Sequence, residues 1–277
     1  MSLPASGAIG ASDINDAQSN TASSAVSMES ASVRKMFEIL TSGSTIDMNS
    51  GRGKGIVTSG LVMNLDAHNT SSYSGSGTTW SDLSGSANHV TLYGSPTYTS
   101  AAPSYFTFDG STQYGKNSST LNFPFASTNA MTAEGWIYLT SDAYDFWFTA
   151  NTAATACTYR LGTDPSGYFY WNMGAHTDRS YGSALTNSAW KHVVFTAGLE
   201  SGAIITRIYV NGSLITTQNE GLSSLPSPTY DFYVGAGECT SCWLFKGRIA
   251  SVRVYNQALS AANVVLNYNA VRDRFGL

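Results

Sequence analysis

The sequence predicts an all-β protein, a two-sheet antiparallel sandwich with a short helical arm before it and a helix after it. The chain has 277 residues, with 26 glycines, 40 serines, 29 threonines and only 12% charged residues, where about a quarter is usual. Threonine and aromatic residues fit pleated strands, and glycine supplies the positive φ of tight turns. Short apolar runs separated by turn residues dominate the chain, and helical spacing is confined to its two ends. This length suits one large domain with an arm.

Residues 1–55 form the predicted arm, a segment rich in small residues. Behind Ser30, a candidate N-cap, apolar residues recur at helical spacing. A helix of about three turns is marginal alone in water, so we expect its apolar stripe to dock on a partner chain or on its own copies. The predicted docking residues are Leu3, Ile9, Val33, Met36, Phe37 and Leu40. The run SGRGKG at 50–55 predicts a flexible linker.

Residues 56–277 form the predicted sandwich domain, because apolar or alternating runs of strand length follow one another between turn signals. The predicted strands are 60–66, 105–109, 131–139, 168–171, 190–197, 204–210, 230–235 and 247–255. Asn211-Gly212, between two such runs, is the strongest hairpin signal, since a type I′ turn needs positive φ at both central residues. Many strands without alternating helices favour an antiparallel sandwich.

A final helix is predicted from residue 260 to near Gly276. Ser260 is its candidate N-cap, and Val264, Val265, Tyr268 and Val271 fall on one face.

Charge and hydropathy exclude several functions. The net charge is −4, which provides no basic field for nucleic acid. No run approaches the roughly 20 apolar residues of a membrane-spanning helix, so we expect no membrane insertion. No Sec-type signal is readable at the start, which favours synthesis in a cytoplasm. The three cysteines are too few for a disulfide scaffold. Cys239-x-x-Cys242 is interpreted as a pair of ordinary loop cysteines, with a zinc site shared with Cys157 and a histidine as the less favoured alternative.

Six motifs, in order, resemble the laminin-G-like, concanavalin A-like jelly roll. They are LVMNLDAHNTSSYSGSGTTWSDLSG (61–85), FTFDG (106–110), MTAEGWIYL (131–139), WKHVVFT (190–196), RIYVNGSLI (207–215) and FKGRIASVRVYNQALSAANV (245–264). The resemblance implies two curved antiparallel sheets. It also implies an inward core that includes Trp136, Trp190, Phe195, Tyr209 and Tyr255, and close chain crossings at Gly110, Gly135 and Gly247.

The chain ends also resemble phage proteins. NYNAVRDRFGL (267–277) is similar to the terminal helix of such domains in marine and cyanobacterial phage virion proteins. MSLPASGAI, SVRKMFEIL and SGSTIDMNSGRGKG resemble the amino-terminal segment of tail-fibre and related appendage proteins. The resemblance implies a virion protein made in the host cytoplasm. It further implies that residues 1–55 bind other virion proteins and, by analogy alone, that the chain forms a homo-oligomer, with a trimer expected.

Glycoside hydrolases need two carboxylates about 5 to 9 Å apart, often at alternate positions of one strand. The six glutamates are scattered, and no Glu-x-Asp or Glu-x-Glu occurs, so we expect no enzyme. Glu134, on a predicted strand, is interpreted as a half-exposed strand residue rather than a lone acid facing a groove.

Calcium is the one cofactor that the resemblance suggests, because laminin-G-like domains often carry it and it takes six to eight oxygen ligands. WSDLSGSANH (80–89) resembles the family's Asp-x-Ser-Gly-x-x-Asn loop, which makes Asp82 and Asn88 candidate ligands and Asp66 a third. The favoured alternative is an Asx-turn in which Asp82 and Asn88 bond their own backbone.

Aromatic residues in or beside loop-like stretches are candidates for stacking on sugar rings. They are Tyr73, Tyr144, Trp147, Tyr168, Tyr170, Trp171 and Tyr181. Packing across the outer sheet or against a neighbouring subunit explains them equally well.

The leading hypothesis is therefore a phage tail fibre or other appendage, anchored by its arm, whose jelly roll recognises a host-surface carbohydrate. A structural decoration or tail-assembly protein without sugar binding is the alternative. A secreted lectin is a further one, for which Asn69, Asn117 and Asn211 lie in glycosylation sequons.

Overall fold

The computed structural model describes residues 55–117, 125–140, 144–153, 156–174, 179–181, 185, 188–228, 231–237 and 243–277. The chain divides into two compact units, one of residues 58–264 and a second that includes residues 265–277. Within the described ranges, no helix is long and apolar enough to cross a membrane.

The first unit is built almost entirely of strands. They are β1 (Leu61–Asp66), β2 (Thr79–Trp80), β3 (Val90–Tyr93), β4 (Thr97–Thr99), β5 (Tyr105–Asp109), β6 (Tyr114–Asn117), β7 (Ala130–Leu139), β8 (Asp145–Ala153), β9 (Ala156–Thr163), β10 (Phe169–Met173), β11 (Arg179–Tyr181), β12 (Trp190–Glu200), β13 (Ala203–Val210), β14 (Ser213–Asn219), β15 (Phe232–Val234) and β16 (Lys246–Tyr255). A single helical turn, α1 (Phe125–Thr128), precedes β7. The predicted all-β antiparallel sandwich is confirmed.

The strands form two antiparallel sheets. Sheet I has the order β14-β13-β12-β7-β16-β5-β4, with β1 also paired to β16, and sheet II has the order β11-β10-β9-β8-β15-β6-β3-β2. Strands that are adjacent in a sheet are often far apart in sequence. β5, for instance, pairs with β16 near the other end of the chain. This jelly-roll order makes the pairings non-local.

The core lies between the two sheets. Because side chains alternate between the faces of a strand, each strand sends every second residue inward. The largest buried rings of this core include Trp80, Phe106, Trp147, Phe148 and Trp171. A buried aromatic side chain removes on the order of 150 to 250 Å² from water, so these rings dominate the stabilisation of the sandwich.

Part of the outer face of sheet I is buried as well, which corrects the expectation of an inward core at several aromatic residues. Trp136, Tyr209 and Tyr255 are at most 3% exposed, yet they belong to the opposite face from the core between the sheets. Trp190 is half-buried on that same outer face, and only Phe195 of the five lies in the core. Strand parity decided this, since Trp136 alternates with Ile137, which packs inward.

Two local predictions are confirmed at the level of backbone geometry. Asn211 and Gly212 join β13 to β14 with φ of 49° and 78°, the positive values that a type I′ turn requires. At Gly247 the chains do cross closely, because a Cβ placed there would lie 2.2 Å from the Tyr138 carbonyl oxygen. Gly135 lies against the Trp147 ring and Gly110 against Lys246.

The closing helix is also confirmed. α2 spans Ala261–Val271 and continues as a 3₁₀ turn, Arg272–Phe275. The Ser260 hydroxyl accepts a hydrogen bond from the Asn263 amide at 3.2 Å, as the predicted N-cap. Val264 and Val271 are buried, whereas Val265 is 41% exposed, so the predicted apolar face is narrower than four residues.

Candidate functional site

The outer face of sheet II carries a row of aromatic side chains. Tyr170 on β10 lies opposite Gly162 on β9, and Gly162 lies opposite Phe146 on β8. The rings of Phe146 and Tyr170 therefore approach each other over a glycine, with centroids 5.3 Å apart. A Cβ on Gly162 would lie 2.6 Å from the Phe146 ring. The missing side chain at Gly162 makes this aromatic contact across β9 possible.

A guanidinium group packs beside these rings. Arg160 lies two residues before Gly162 and thus on the same face of β9. Its Cζ is 5.8 Å from the ring centroid of Phe146 and 6.0 Å from that of Tyr170. The Trp243 ring, from the segment before β16, is closer, at 5.1 Å. Arg160 is thus bounded by three aromatic rings, within the range of favourable cation–π contact.

Two exposed rings rise above this floor. Phe146 and Tyr170 are at most 4% exposed, whereas Tyr144 is 41% and Trp243 is 43% exposed. The Tyr144 ring contacts Tyr170 at 5.6 Å and Trp243 at 6.5 Å. We call these five residues, Tyr144, Phe146, Arg160, Tyr170 and Trp243, the Arg160 cluster. It has a buried aromatic base, a cation and two exposed aromatic rings.

The backbone at Trp243 is unusual. Its φ is 47°, in the left-handed region that few residues other than glycine occupy. Holding a bulky side chain there costs of order 1 to 3 kcal/mol, and such strain concentrates at functional sites.

The other end of the same face carries a second group of tyrosines. Tyr93 and Tyr114 stack with centroids 5.0 Å apart, and Tyr93 is 41% exposed. Beside them Lys116 forms a 2.7 Å ion pair with Asp231, which also accepts a hydrogen bond from the Tyr233 hydroxyl. Burial, aided by the Asp231 carboxylate, raises the pKa of Tyr233 to about 12, so this phenol stays protonated at neutral pH.

Two adjacent residues before β16, Trp243 and Leu244, contact the two groups. Next to them the Phe245 amide donates to the Gly235 carbonyl at 3.0 Å. Leu244 packs with Tyr233 on one side, and Trp243 packs with Phe146 on the other. The outer face of sheet II therefore has two aromatic patches rather than one continuous surface.

The structure separates the seven aromatic residues predicted to contact sugars. Tyr144 is exposed as expected, and it joins Tyr170 in the Arg160 cluster, although Tyr170 itself is only 4% exposed. The expected exposure is wrong for Tyr73, Trp147 and Trp171, which are core residues at 7%, 0% and 0%. Trp171 alternates with Tyr170 along β10, so one ring points outward and the next inward.

The last two of the seven are Tyr168 and Tyr181. Tyr168 is 39% exposed in the turn before β10, where the Asp164 amide donates to its carbonyl. The side chain of Tyr181 lies outside the described residues. Phe146, Arg160 and Trp243 were not among the predicted site residues. Phe146 and Arg160 lie on β8 and β9, which were not predicted as strands, and Trp243 lies in the segment before β16. An alternating reading of 156–163 would have placed Arg160 on an outer face.

The loop predicted to hold calcium is closed by hydrogen bonds. One Asp82 carboxylate oxygen accepts from the amides of Asn64 and Ser84, at 2.7 and 2.8 Å. The other accepts from the Ser84 hydroxyl and the Asn88 amide, at 2.8 and 2.9 Å. Two carboxylate oxygens offer about four lone-pair sites, and these four donors fill them. The geometry matches the Asx-turn alternative.

The other two candidate ligands point elsewhere. The Asn88 side-chain amide donates to the Val62 carbonyl at 2.7 Å. Asp66 accepts from the His68 amide at 3.0 Å and lies 3.9 Å from Arg253. No group of three His, Cys, Asp or Glu side chains suited to a metal occurs among the residues that the structure describes. As arranged, these residues do not fit a calcium ion.

Glu134 is fully buried rather than half-exposed, which corrects its interpretation. It is 1% exposed, 2.8 Å from Arg253 Nη1 and 3.6 Å from His192 Nε2. Burial raises the pKa of the Glu134 carboxyl, but His192 and Arg253 outweigh burial and hold that pKa at about 2. A carboxylate so enclosed is inaccessible to substrate, so its role is structural.

Several predicted features lie outside the described residues. These are the docking residues Leu3, Ile9, Val33, Met36, Phe37 and Leu40, and the C-x-x-C pair Cys239 and Cys242. Their roles stay predictions.

Comparison with known proteins supports the architecture. A sequence profile described as the concanavalin A-like lectin/glucanases superfamily, of laminin-G type, matches residues 109–265. No curated protein matches the chain.

Solved structures with a similar fold include toxin and sialidase chains. The binding domain of botulinum neurotoxin DC, solved with rat synaptotagmin II, aligns with TM-score 0.59 and 13% identity, over 78% of this chain and 52% of that chain. The same domain solved with SialylT aligns with TM-score 0.58 and 13% identity, over 77% and 52%. A Trypanosoma rangeli sialidase mutant with trans-sialidase activity aligns with TM-score 0.59 and 17% identity, over 80% and 35%. The chain thus spans about half or a third of these proteins, and the likeness concerns the fold alone.

Proposed function

The chain belongs to the concanavalin A-like lectin/glucanase superfamily, and from this membership we propose that it is a glycan-binding protein whose ligand binds at the Arg160 cluster. The observation that carries the proposal is the pair of exposed rings, Tyr144 and Trp243, standing above a buried aromatic floor with a guanidinium between them. The neurotoxin domain solved with SialylT and the sialidase give the same fold a precedent in glycan recognition.

The chemistry of the cluster suits a sugar. Aromatic faces pack against the apolar C–H face of a pyranose, while the ring hydroxyls need hydrogen-bond partners. Arg160 N–H groups are such donors, held in place by the rings around them. Because the floor is buried and rigid, binding costs little ordering of side chains, which raises affinity.

The test compares matched single variants on a glycan array, followed by calorimetry with the best ligand. We expect Trp243→Ala and Tyr144→Ala each to weaken binding about tenfold, as for aromatic residues at the centre of an interface. Tyr168→Ala is the matched control, since it removes a similarly exposed ring outside the cluster. Equal losses in all three variants would refute the assigned site.

The array also separates binding from a structural role. If the full chain binds no sugar and no host envelope preparation, the alternative of a decoration or assembly protein gains support. Running the array with and without a chelator tests whether the predicted calcium assists binding.

We propose a binding module rather than an enzyme. Among the described residues, the deeply buried Glu134 and Asp66 both face Arg253, and neither forms an accessible carboxylate pair. Release of reducing ends from any bound polysaccharide would contradict this assignment.

The biological setting remains the one that the sequence suggests: a phage virion appendage that is anchored by residues 1–55 and displays the jelly roll to the host. The support is the resemblance of the two chain ends to such proteins. Deleting residues 1–55 should leave a folded sandwich that no longer joins the particle or its oligomer. Incorporation of the truncated protein into particles would refute the anchor.

A further inference from the structure

A second cation lies among aromatic rings on the opposite side of the sandwich, on the outer face of sheet I. Arg248 on β16 pairs with Thr107 on β5 and with Tyr138 on β7, and Tyr138 pairs in turn with Trp190 on β12. Residues opposite each other in a sheet share a face, so Arg248, Tyr138 and Trp190 form one row. This place is separate from the Arg160 cluster and from the glycan site proposed above.

Two rings flank the Arg248 guanidinium, and a third ring packs against both of them. Its Cζ lies 4.5 Å from the ring centroid of Tyr138 and 5.0 Å from that of Tyr105. The Trp190 ring contacts both tyrosines, at 5.6 and 5.4 Å. All four side chains are half-buried, so the rings hold the plane of the guanidinium while leaving an edge accessible to solvent.

Among the described residues, no hydrogen-bond acceptor lies on the Arg248 guanidinium. Arg253, Arg207 and Arg179 each lie against a glutamate. Arg248, by contrast, makes no ion pair with any residue of the described ranges, and its guanidinium packs against the Tyr138 and Tyr105 rings. A half-buried guanidinium whose N–H groups have no acceptor among the described residues can donate hydrogen bonds to an anion.

The charge around Arg248 favours an anionic ligand. Lys246, two residues earlier on the same face and about 7 Å away along the strand, is exposed and forms no ion pair within the described residues. The buried Asp145 carboxylate accepts from the Lys246 backbone amide at 2.8 Å, and Asp109 lies opposite Lys246 in register. Asp109 is exposed. The Asp109 carboxylate is engaged by its own turn, where it accepts from the Ser111, Thr112 and Gln113 amides and the Thr112 hydroxyl.

We propose that Arg248, with Tyr105, Tyr138 and Trp190, binds a carboxylate-bearing sugar, as found in the uronate units of acidic polysaccharides. The planar fork of a guanidinium matches a carboxylate with two parallel hydrogen bonds. The surrounding rings offer faces for the pyranose that carries it. Lys246 adds a second cation for the next acidic unit of the polymer.

The test is calorimetric titration of the full chain with oligogalacturonate and with the same oligosaccharide after reduction of its carboxyl groups. We expect measurable binding of the first and at least about tenfold weaker binding of the second. Arg248→Gln should lose about tenfold in affinity for oligogalacturonate. Arg248→Lys, which keeps the charge but not the fork, should recover only part of it.

Arg272→Gln is the matched control, because Arg272 also stacks on one ring, Tyr268, at 5.7 Å. It should leave binding unchanged, and thermal unfolding should verify that each variant is folded. Equal affinity for the reduced oligosaccharide, equal affinity for dextran sulfate, no binding at millimolar concentration, or an unaffected Arg248→Gln variant would each overturn the proposal. Trp243→Ala should retain uronate binding, which keeps this test distinct from that of the Arg160 cluster.

Discussion

Replacing Glu134 by glutamine should reveal how much a buried ion pair contributes to the sandwich. The substitution removes a carboxylate 2.8 Å from Arg253 and 3.6 Å from His192, at a place where Glu134 is 1% and Arg253 2% exposed. The pKa of Glu134, about 2 in the fold against an ordinary 4.5, corresponds to about 3 kcal/mol of stabilisation of the charged form. Removing one partner of a buried pair costs about 3 to 5 kcal/mol, because the other charge stays buried. We expect a loss of about 3 kcal/mol in the free energy of unfolding at pH 7.

Equilibrium unfolding in urea, repeated across pH, measures this. The folded pKa of Glu134 lies below the unfolded one, so the unfolded state binds more protons between them and stability falls as pH drops from about 4.5 to about 2. The Glu134→Gln variant should lack that part of the pH dependence. Glu200→Gln is the control: Glu200 also pairs with an arginine, Arg207, but is 47% exposed and should contribute less than about 1 kcal/mol. Equal losses in the two variants, or an unchanged acid profile, would refute the reasoning.

Three further outcomes follow from the contacts. Gly162→Ala places a Cβ 2.2 Å from the Asp145 carbonyl oxygen and 2.6 Å from the Phe146 ring. Both the free energy of unfolding and the affinity for the best array glycan should therefore fall. An unchanged affinity would contradict the proposal that Gly162 permits the Phe146–Tyr170 contact of the site. Gly247→Ala, 2.2 Å from the Tyr138 carbonyl oxygen, should cost about 1 to 3 kcal/mol in urea unfolding, and a neutral effect would show that the crossing is looser than described. Asp82→Ala should lower the free energy of unfolding by about 1 to 3 kcal/mol, because four donors lose their acceptor, and the midpoint of thermal unfolding should fall with it. EDTA should not shift the wild-type midpoint, whereas a calcium-dependent rise would restore the metal site predicted from the sequence.

Local sequence patterns predicted strands, a turn and a helix start of this chain well. The run at 105–109 coincides with β5, and the Asn211-Gly212 turn has both positive φ values. Ser260 caps the last helix as expected. In each case the deciding interaction lies within a few residues, in strand alternation, turn stereochemistry or a capping hydrogen bond, so sequence alone carries the information.

The candidate site required contacts that no local pattern encodes. Trp243 and Arg160 are far apart in sequence, and they meet because β8, β9 and the segment before β16 lie side by side in sheet II. The burial of each aromatic side chain could not be predicted from the sequence either. Trp147 and Tyr144 are three residues apart in the same stretch, yet Trp147 is fully buried and Tyr144 is 41% exposed.

By itself, then, the sequence determined the antiparallel sandwich and its closing helix. It also determined the net charge of −4, which argues against nucleic-acid binding. Only the tertiary structure decided which face each aromatic ring occupies, that Glu134 is buried beside Arg253, and that Arg248 lies among the Tyr105 and Tyr138 rings. The physical reason is that the two-residue period of a strand fixes which side chains share a face, but not which of the two faces is covered. Burial, ion pairing and pKa depend on partners that are distant in sequence and are brought together only by strand pairing.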